Sequence, residues 1–321
     1  MVKEKLRIFE CYAGYGGCSF GLKKANIEFD IVGFSEIKES VISIYNQNHF
    51  SIDSINAKGE VDGLSLVRNY GDINNIDPNT LPDFDLISGG FPCQDVSLAG
   101  LRDLTKGRTT SVFKMLDIIR VKKPKYCLLE NVKGILSMLN GELLREIVRQ
   151  LKAMGYAVSY KLVNSLDYGI PQNRERVFIC CELNKEAFGF NPFPGTKQLQ
   201  VTLKDLLEKK VDERYYLNKK NLESLDRSLK RRDKRLHNLV RVDTALCLMS
   251  RHPSRCFHDT TLIKEGERLR ILTPKETFRL MGFVNDDIKL KGLSDTQLYE
   301  ASGNGWDVNL VSLIFERWLK H

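Results

Sequence analysis

Leu6-Arg7-Ile8-Phe9-Glu10-Cys11-Tyr12-Ala13-Gly14-Tyr15-Gly16-Gly17 sets an apolar run of strand length against a glycine turn, and a helical stretch, Gly16–Lys24, follows at once. Strand, tight turn and helix in succession predict a βα unit whose turn carries few side chains. Glycines there let a ligand approach the backbone, and the free N–H groups at a helix start favour an anionic or polar ligand group. Outward from this unit the pattern repeats. Strands are expected at Ile31–Ser35, Asp85–Ser88, Tyr126–Leu129, Ala157–Val163 and Arg176–Cys181, and helices at Ser40–Asn48, Val112–Val121 and Glu142–Met154. Alternation on this scale predicts an α/β fold, a Rossmann-like, doubly wound, mostly parallel sheet with helices on both faces. Ligands of such sheets gather beyond the carboxyl ends of the strands.

The loops at those ends hold the candidate site residues. Glu36 closes the second strand, 19 residues after Gly17, where a carboxylate accepts from a ribose diol. Gly71-Asp72-Ile73 forms a third ligand loop, with Asp72 able to accept from an adenine amino group. Gly14-Tyr15-Gly16-Gly17 is compatible with a nicotinamide dinucleotide, but it departs from Gly-x-Gly-x-x-Gly, the spacing that suits a pyrophosphate. An adenosyl group with a compact amino-acid tail fits the shortened loop better. Past the strand Asp85–Ser88 comes Gly89-Gly90-Phe91-Pro92-Cys93-Gln94, a thiol on a loop facing the cleft, its backbone fixed by Pro92. Glu130 follows the next strand, and Arg174 and Arg176 lead into a later one.

The chain of 321 residues carries 49 Lys and Arg against 41 Asp and Glu, a net charge of +8. Lys209 to Arg235 holds eleven basic and five acidic residues, so six of the eight net charges fall there, around Lys230-Arg231-Arg232-Asp233-Lys234-Arg235. A solvated helix face and a polyanion contact both fit that run. Its apolar runs are too short for a membrane span, and the start shows no secretory pattern, so a reducing cytoplasm is expected. The eight cysteines (11, 18, 93, 127, 180, 181, 247 and 256) include no Cys-x-x-Cys pair. A structural zinc site is therefore not expected, and all but Cys93 read as small buried residues. The rhythm breaks after Cys181, at the turn-rich Phe190–Gly195, and resumes at Thr273-Pro274-Lys275-Glu276, a helix start with Thr at the N-cap and Glu three residues on. Residues 186–267 then form an inserted small domain, and 1–185 with 268–321 a discontinuous main domain.

Phe91-Pro92-Cys93-Gln94, Glu130-Asn131-Val132 and Gln172-Asn173-Arg174-Glu175-Arg176, in that order, resemble the cytosine-C5 DNA methyltransferases. Tyr12–Gly17, Gly71-Asp72-Ile73, Arg268–Gly282 and Gly303-Asn304 extend the match over about three-quarters of the chain, all but the basic insert. The resemblance implies a class I S-adenosyl-L-methionine-dependent methyltransferase that releases S-adenosyl-L-homocysteine and needs no metal. By match, Cys93 is the nucleophile that adds to C6 of a flipped cytosine. Glu130 contacts N3 and the exocyclic amine, Arg176 reads O2, and Arg174 orients the carboxylate and nucleophile. Tyr12, Ala13, Gly14, Tyr15, Gly16, Gly17, Glu36, Ile37, Asp72, Ile73, Pro92, Asn304 and Trp306 become the cofactor contacts. Gln94–Arg108 resembles the loop that closes over DNA, with Gln94 and Ser97 touching the substrate. The insert becomes the target-recognition domain, with Arg231, Arg232, Arg235, Thr244, Arg251 and Arg255 on DNA.

The last motif departs from the family, since Gly303-Asn304-Gly305-Trp306 replaces Gly-Asn-Ser/Ala and an aliphatic residue. Trp306 then covers the methionine part of the cofactor or packs the C-terminal helix. Compact size resembles the enzymes of restriction–modification systems, which implies a monomer in a bacterial cytoplasm or phage-infected cell, acting on double-stranded DNA alongside a cognate restriction endonuclease. One branch of the family methylates tRNA cytosine with the same site and is the alternative.

Overall fold

The computed structural model describes residues 5–50, 67–92, 111–255 and 257–320. They divide into two compact units, one of residues up to Val163 with Glu175–Pro194 and the chain from Ser312, the other of Asn164–Arg174 with Gly195–Val311.

The first unit is built on a seven-stranded sheet of order β3-β2-β1-β4-β5-β7-β6. The strands are β1 Leu6–Cys11, β2 Phe29–Ser35, β3 Arg68–Asn69, β4 Leu86–Gly90, β5 Tyr126–Val132, β6 Tyr156–Asn164 and β7 Glu175–Leu183. β1 pairs in parallel with both β2 and β4, β4 pairs in parallel with β5, and β7 runs antiparallel to β5. From β1 the chain winds toward β3, then returns to β4 on the other side of β1 and winds the opposite way. The reversal leaves a crevice at the carboxyl ends of β1 and β4, where ligands of open α/β sheets bind.

Burial explains which residues form these strands. Ile8, Phe9, Leu86, Ile87, Cys127, Leu128 and Leu129 are fully buried, as near-continuous apolar runs covered on both faces must be. Helices α1 Gly17–Lys24, α2 Glu39–His49, α3 Ser111–Lys122 and α4 Glu142–Ala153 accompany the sheet. On α4, Leu143, Leu144, Ile147 and Leu151 are buried at helical spacing, and they join Phe9, Ile87, Met115, Ile119 and Leu129 in the largest core cluster. Expected and observed elements agree to within about two residues at most ends. The two-residue β3 is too short to show any period.

The second unit holds α5 Lys219–Arg231, the antiparallel hairpin β8 Leu262–Glu265 with β9 Arg268–Ile271, α6 Pro274–Arg279 and α7 Asp295–Asn304. Its main core gathers Tyr215, Leu225, Leu229, Leu239, Phe257, Leu262, Ile271 and Tyr299. Within 186–267, where no βα alternation was expected, α5 buries Leu225 and Leu229 on one face. Within the basic run only Lys230 and Arg231 are helical, since Arg232 caps the helix and Asp233 turns left-handed at φ 50°. Thr273 caps α6 as expected, accepting from the Glu276 N–H while the Glu276 carboxylate accepts from Thr273. Glu276 does more: its fully buried carboxylate takes a bidentate pair from the fully buried Arg270, at 2.8 and 2.9 Å. The last helix, α8 Val308–Leu319, runs from one unit into the other.

Candidate active site

Tyr12 to Gly17 leaves β1 at the crevice, and three backbone positions, Tyr12, Gly14 and Gly16, take positive φ of 51°, 57° and 88°. A Cβ on Gly14 would stand in nearly open space, its nearest neighbour the Tyr12 carbonyl at 3.9 Å, so this face of the loop is free for a ligand. Gly16 faces inward instead. A Cβ there would lie 2.1 Å from Nε2 of His49, which donates to the Tyr15 carbonyl at 2.9 Å. His49, the last residue of α2, is wedged between the rings of Phe20 and Tyr45, and burial pushes its imidazole down to about 4. It is therefore neutral, with its proton on Nε2.

Beneath the same loop lies Glu10, a carboxylate buried inside β1. It accepts from Ser19 Oγ and Tyr45 Oη at 2.5 Å each and from the Ser19 N–H at 3.3 Å, and burial raises its affinity for a proton. β1, α1 and α2 are thus tied together under the glycine turn by three side chains, none of which reaches solvent.

Glu36 ends β2 as expected. Gly14 N donates to its Oε2 at 3.1 Å, and Ile37 N and Lys38 N donate to its Oε1 at 2.9 and 3.0 Å. Fixed by three backbone donors, the carboxylate keeps acceptor capacity on Oε2. Ile37 beside it is 71 % exposed, an apolar surface held out in water at the carboxyl end of the sheet. Asn69 links this corner to the third loop, accepting from Glu36 N and Gly71 N and donating to the Glu36 carbonyl. Gly71 has φ 67° with open space around its would-be Cβ. Asp72 accepts from both nitrogens of Asn74, and Ile73 is buried.

On the other side of the crevice, β4 ends at Gly90 and β5 continues to Val132, with Gly90 registered against Glu130. Asn131 donates to the Phe91 carbonyl at 2.9 Å, which anchors the peptide entering Pro92. Cys93, Gln94 and Ser97 lie outside the described residues, as does Cys256. Because β7 is antiparallel, its first residues meet the end of β5, and Arg176 is registered against Val132. Arg176 Nε pairs with Glu130 Oε1 at 3.0 Å, with side-chain exposures of 15 % and 11 %. Glu175 pairs instead with Lys133, on the surface, so the ion pair of Arg176 is with Glu130 rather than its sequence neighbour. A carboxylate beside a guanidinium, both mostly out of water, offers an acceptor and a donor to a planar ring edge that carries the complementary groups.

Arg174 belongs to the second unit and is buried. Its Nη2 donates to the carbonyls of Gly303 and Gly305 at 2.9 and 2.7 Å, holding the loop that carries Asn304. Gln172, wholly buried, donates to the Leu280 carbonyl and accepts from Leu248 N. Gly303 admits no side chain, since a Cβ would meet the Met249 backbone at 2.4 Å. Asn304 is exposed and Trp306 buried; Arg231, Arg232, Arg235, Arg251 and Arg255 are exposed, and Thr244 is half-buried. Cys11, Cys18, Cys127, Cys180 and Cys181 are buried, and burial pushes each thiol well above its ordinary range, which keeps it protonated and unreactive. Cys247 is only partly buried.

Residues 6–320 match the family model of the C-5 cytosine-specific DNA methylases, and the chain belongs to that family. It is a DNA (cytosine-5-)-methyltransferase. Among curated proteins it is 32 % identical to the type II methyltransferase M2.ScrFI of Lactococcus lactis subsp. cremoris, over 98 % of this chain and 99 % of that one. It is 31 % identical to the type II methyltransferase M.Bsp6I of Bacillus sp. (strain RFL6), with the same coverage of 98 % and 99 %. A crystal structure of a mutant of Spodoptera frugiperda DNMT2 superposes with a TM-score of 0.74 at 20 % identity, covering 98 % of this chain and all of that one, which is a likeness of fold. Among the described residues no helix is long and apolar enough to cross a membrane.

Sequence reading missed Glu10, Tyr45, His49 and Asn131. Asn131 stood inside the quoted Glu130-Asn131-Val132, and Glu10 was the only charged residue in the apolar core of β1, Ile8 to Cys11, so a signal existed for both. For Tyr45 and His49 none did, because their role depends on where α2 packs.

Proposed function

We propose that the chain transfers a methyl group from S-adenosylmethionine to C5 of a flipped-out cytosine in a specific duplex DNA sequence, through a covalent Cys93–C6 intermediate. The observation that carries this reading is the Glu130–Arg176 pair, sheltered on the β5–β7 rim next to the Phe91–Pro92 peptide that Asn131 holds. Cytosine presents an amino donor and O2 acceptor on one edge, and thymine does not match it at N3 and position 4. Glu130 takes the amine and N3, and Arg176 takes O2. A base paired in a duplex cannot reach a rim of this kind, so it must swing out.

The Cys93 thiolate adds to C6, and the electrons of the 5,6 double bond move to C5. Glu130 stabilises a proton on N3, which prevents negative charge from accumulating on the ring. When bound, S-adenosylmethionine supplies a methyl group activated by a sulfonium and departs as S-adenosylhomocysteine. C5 gains the methyl, H5 leaves to water, and breaking the C6–S bond restores the double bond and the thiolate. The residues at the crevice fit the cofactor: Gly14 and Gly71 leave open space, Glu36 has acceptor capacity for a ribose, and Ile37 offers an exposed apolar face. Tyr12, Ala13, Tyr15, Gly16, Gly17, Asp72, Ile73, Pro92, Asn304 and Trp306 complete this assignment. Arg174 acts in it through the carbonyls of Gly303 and Gly305, as a positioning residue.

Residues 186–267 serve as the target-recognition domain, and 1–185 with 268–321 as the catalytic domain. Gln94, Ser97, Arg231, Arg232, Arg235, Thr244, Arg251 and Arg255 contact DNA. In this reading the enzyme acts as a monomer in the cytoplasm, alongside a cognate restriction endonuclease. Purified protein incubated with labelled cofactor and duplex DNA should methylate DNA and not tRNA, and a duplex containing 5-fluorocytosine should trap a protein–DNA adduct. Turnover retained in Cys93→Ala would eliminate the covalent route, and transfer to tRNA alone would make the RNA branch the correct one.

A further inference from the structure

One stripe of α5 carries Ser224, Arg227, Ser228 and Arg231, spaced three and four residues apart along the helix. Across from it the short turn Pro253–Arg255 presents Ser254 and Arg255, and the three arginines and three serines line one open groove of about 410 Å³. Phe257, buried in the unit's core, also lines it. No carboxylate does. Among the described residues, none of Arg227, Arg231 and Arg255 forms an ion pair, whereas basic residues nearby are neutralised: Lys230 by Asp226 and Lys234 by Asp259.

Three like charges converging without a counter-charge repel one another, and the arrangement becomes favourable when an anion enters. Guanidinium groups match phosphate oxygens through two parallel N–H donors, and hydroxyls add neutral donors. Arg227 and Arg231 are one helical turn apart, about 6 Å along the axis, comparable to the step between successive phosphates of one strand. A single small anion would engage one of these groups; a chain of phosphodiesters engages all of them.

We propose that this groove is a phosphate cradle that grips the sugar–phosphate backbone of the duplex substrate. The proposal rests on the DNA reading above and relocates the main electrostatic contact. Of the three arginines only Arg231 lies in the basic run; Arg227 precedes it on α5, and Arg255 comes with Ser254 from the facing turn. Such contacts set grip and orientation and carry no sequence information.

The test uses the full chain, saturated with S-adenosylhomocysteine, and measures affinity for a duplex of arbitrary sequence as a function of salt. Each phosphate contact contributes about 0.9 to the slope of log K against log [salt], so Arg227→Gln/Arg231→Gln/Arg255→Gln should lower the slope by about 2.7. A charge-matched control, Arg214→Gln/Arg268→Gln/Lys275→Gln, removes residues already paired with Asp295, Glu213 and Asp286 and should change it little. Unaltered thermal unfolding and S-adenosylhomocysteine binding check that both variants fold. Equal slopes in the wild type and the groove variant, or equal losses in the two variants, overturn the cradle. A loss seen with tRNA and not with duplex DNA overturns the assigned occupant. Methyl transfer by the wild type, measured in parallel, separates the two ideas: transfer to DNA with an unchanged slope sinks the cradle alone, and no transfer to DNA sinks the parent reading with it.

Discussion

Gly16→Ala tests the glycine turn most directly. At φ 88° an alanine sits in left-handed territory, at about 1–2 kcal/mol. Its methyl would also stand 2.1 Å from His49 Nε2. A flexible side chain would swing aside, but His49 is confined by Phe20 and Tyr45, with ring centroids 4.7 and 4.6 Å away. Forcing extra volume into such a place costs about 1–3 kcal/mol, and displacing the ring adds about 1 kcal/mol for its hydrogen bond to Tyr15. The expected loss is about 3–6 kcal/mol, measured by denaturant unfolding, with weaker S-adenosylhomocysteine binding by calorimetry. His49→Ala in the Gly16→Ala background removes the overlap and leaves only the backbone cost. The two substitutions should therefore be non-additive, the pair costing about 2–4 kcal/mol less than the sum, because the overlap vanishes and the hydrogen bond to Tyr15 is lost only once. Additive costs, or a Gly16→Ala protein with wild-type stability and affinity, would refute the wedge.

Other outcomes follow from the same geometry. His49 titrates at about 4 when folded, below its ordinary 6.5, so between those values the unfolded chain binds more protons. The contribution of neutral His49 is fully present above about pH 6.5 and is lost as pH falls toward 4, a total of about 3 kcal/mol. Unfolding curves of the wild type should thus fall relative to those of His49→Gln across this window, and parallel pH profiles would contradict it. Asn131→Ala releases the Phe91 carbonyl and should lower kcat about 10- to 100-fold, a loss of one buried hydrogen bond, while leaving cofactor affinity intact. An effect on cofactor affinity alone would assign Asn131 elsewhere. Arg270→Met strands the Glu276 carboxylate and should destabilise the second unit by about 3–5 kcal/mol, with Glu276→Gln in the same chain recovering part of the loss. Thermal unfolding of the single and double variants checks both statements.

Helices and strands of the first unit were legible because their apolar patterns are strong: α4 repeats Leu143, Leu144, Ile147 and Leu151, and β5 opens with the apolar run Tyr126-Cys127-Leu128-Leu129. The Thr273 cap was legible for a local reason, since a capping box is complete within four residues. Glu130, Arg176 and Glu36 were placed at strand ends from motif and topology, and their pairing needed only that β5 and β7 be neighbours. The 267/268 division falls within the turn of the β8–β9 hairpin, whose strands are only four residues each. Arg174 shows the limit most clearly. Sequence set it beside Arg176, yet its donors go to carbonyls 129 and 131 residues further on, which no local pattern encodes.

The reversed direction of β7 sets a mutational polarity along that strand. In β4 and β5 the sensitive positions come last, where the chain exits toward the crevice. In β7 they come first, and Cys180 and Cys181 farther along are interior. A substitution scan through β7 should therefore grade from lost catalysis at Arg176 to lost folding near Cys181, while the same scan through β5 should grade the other way.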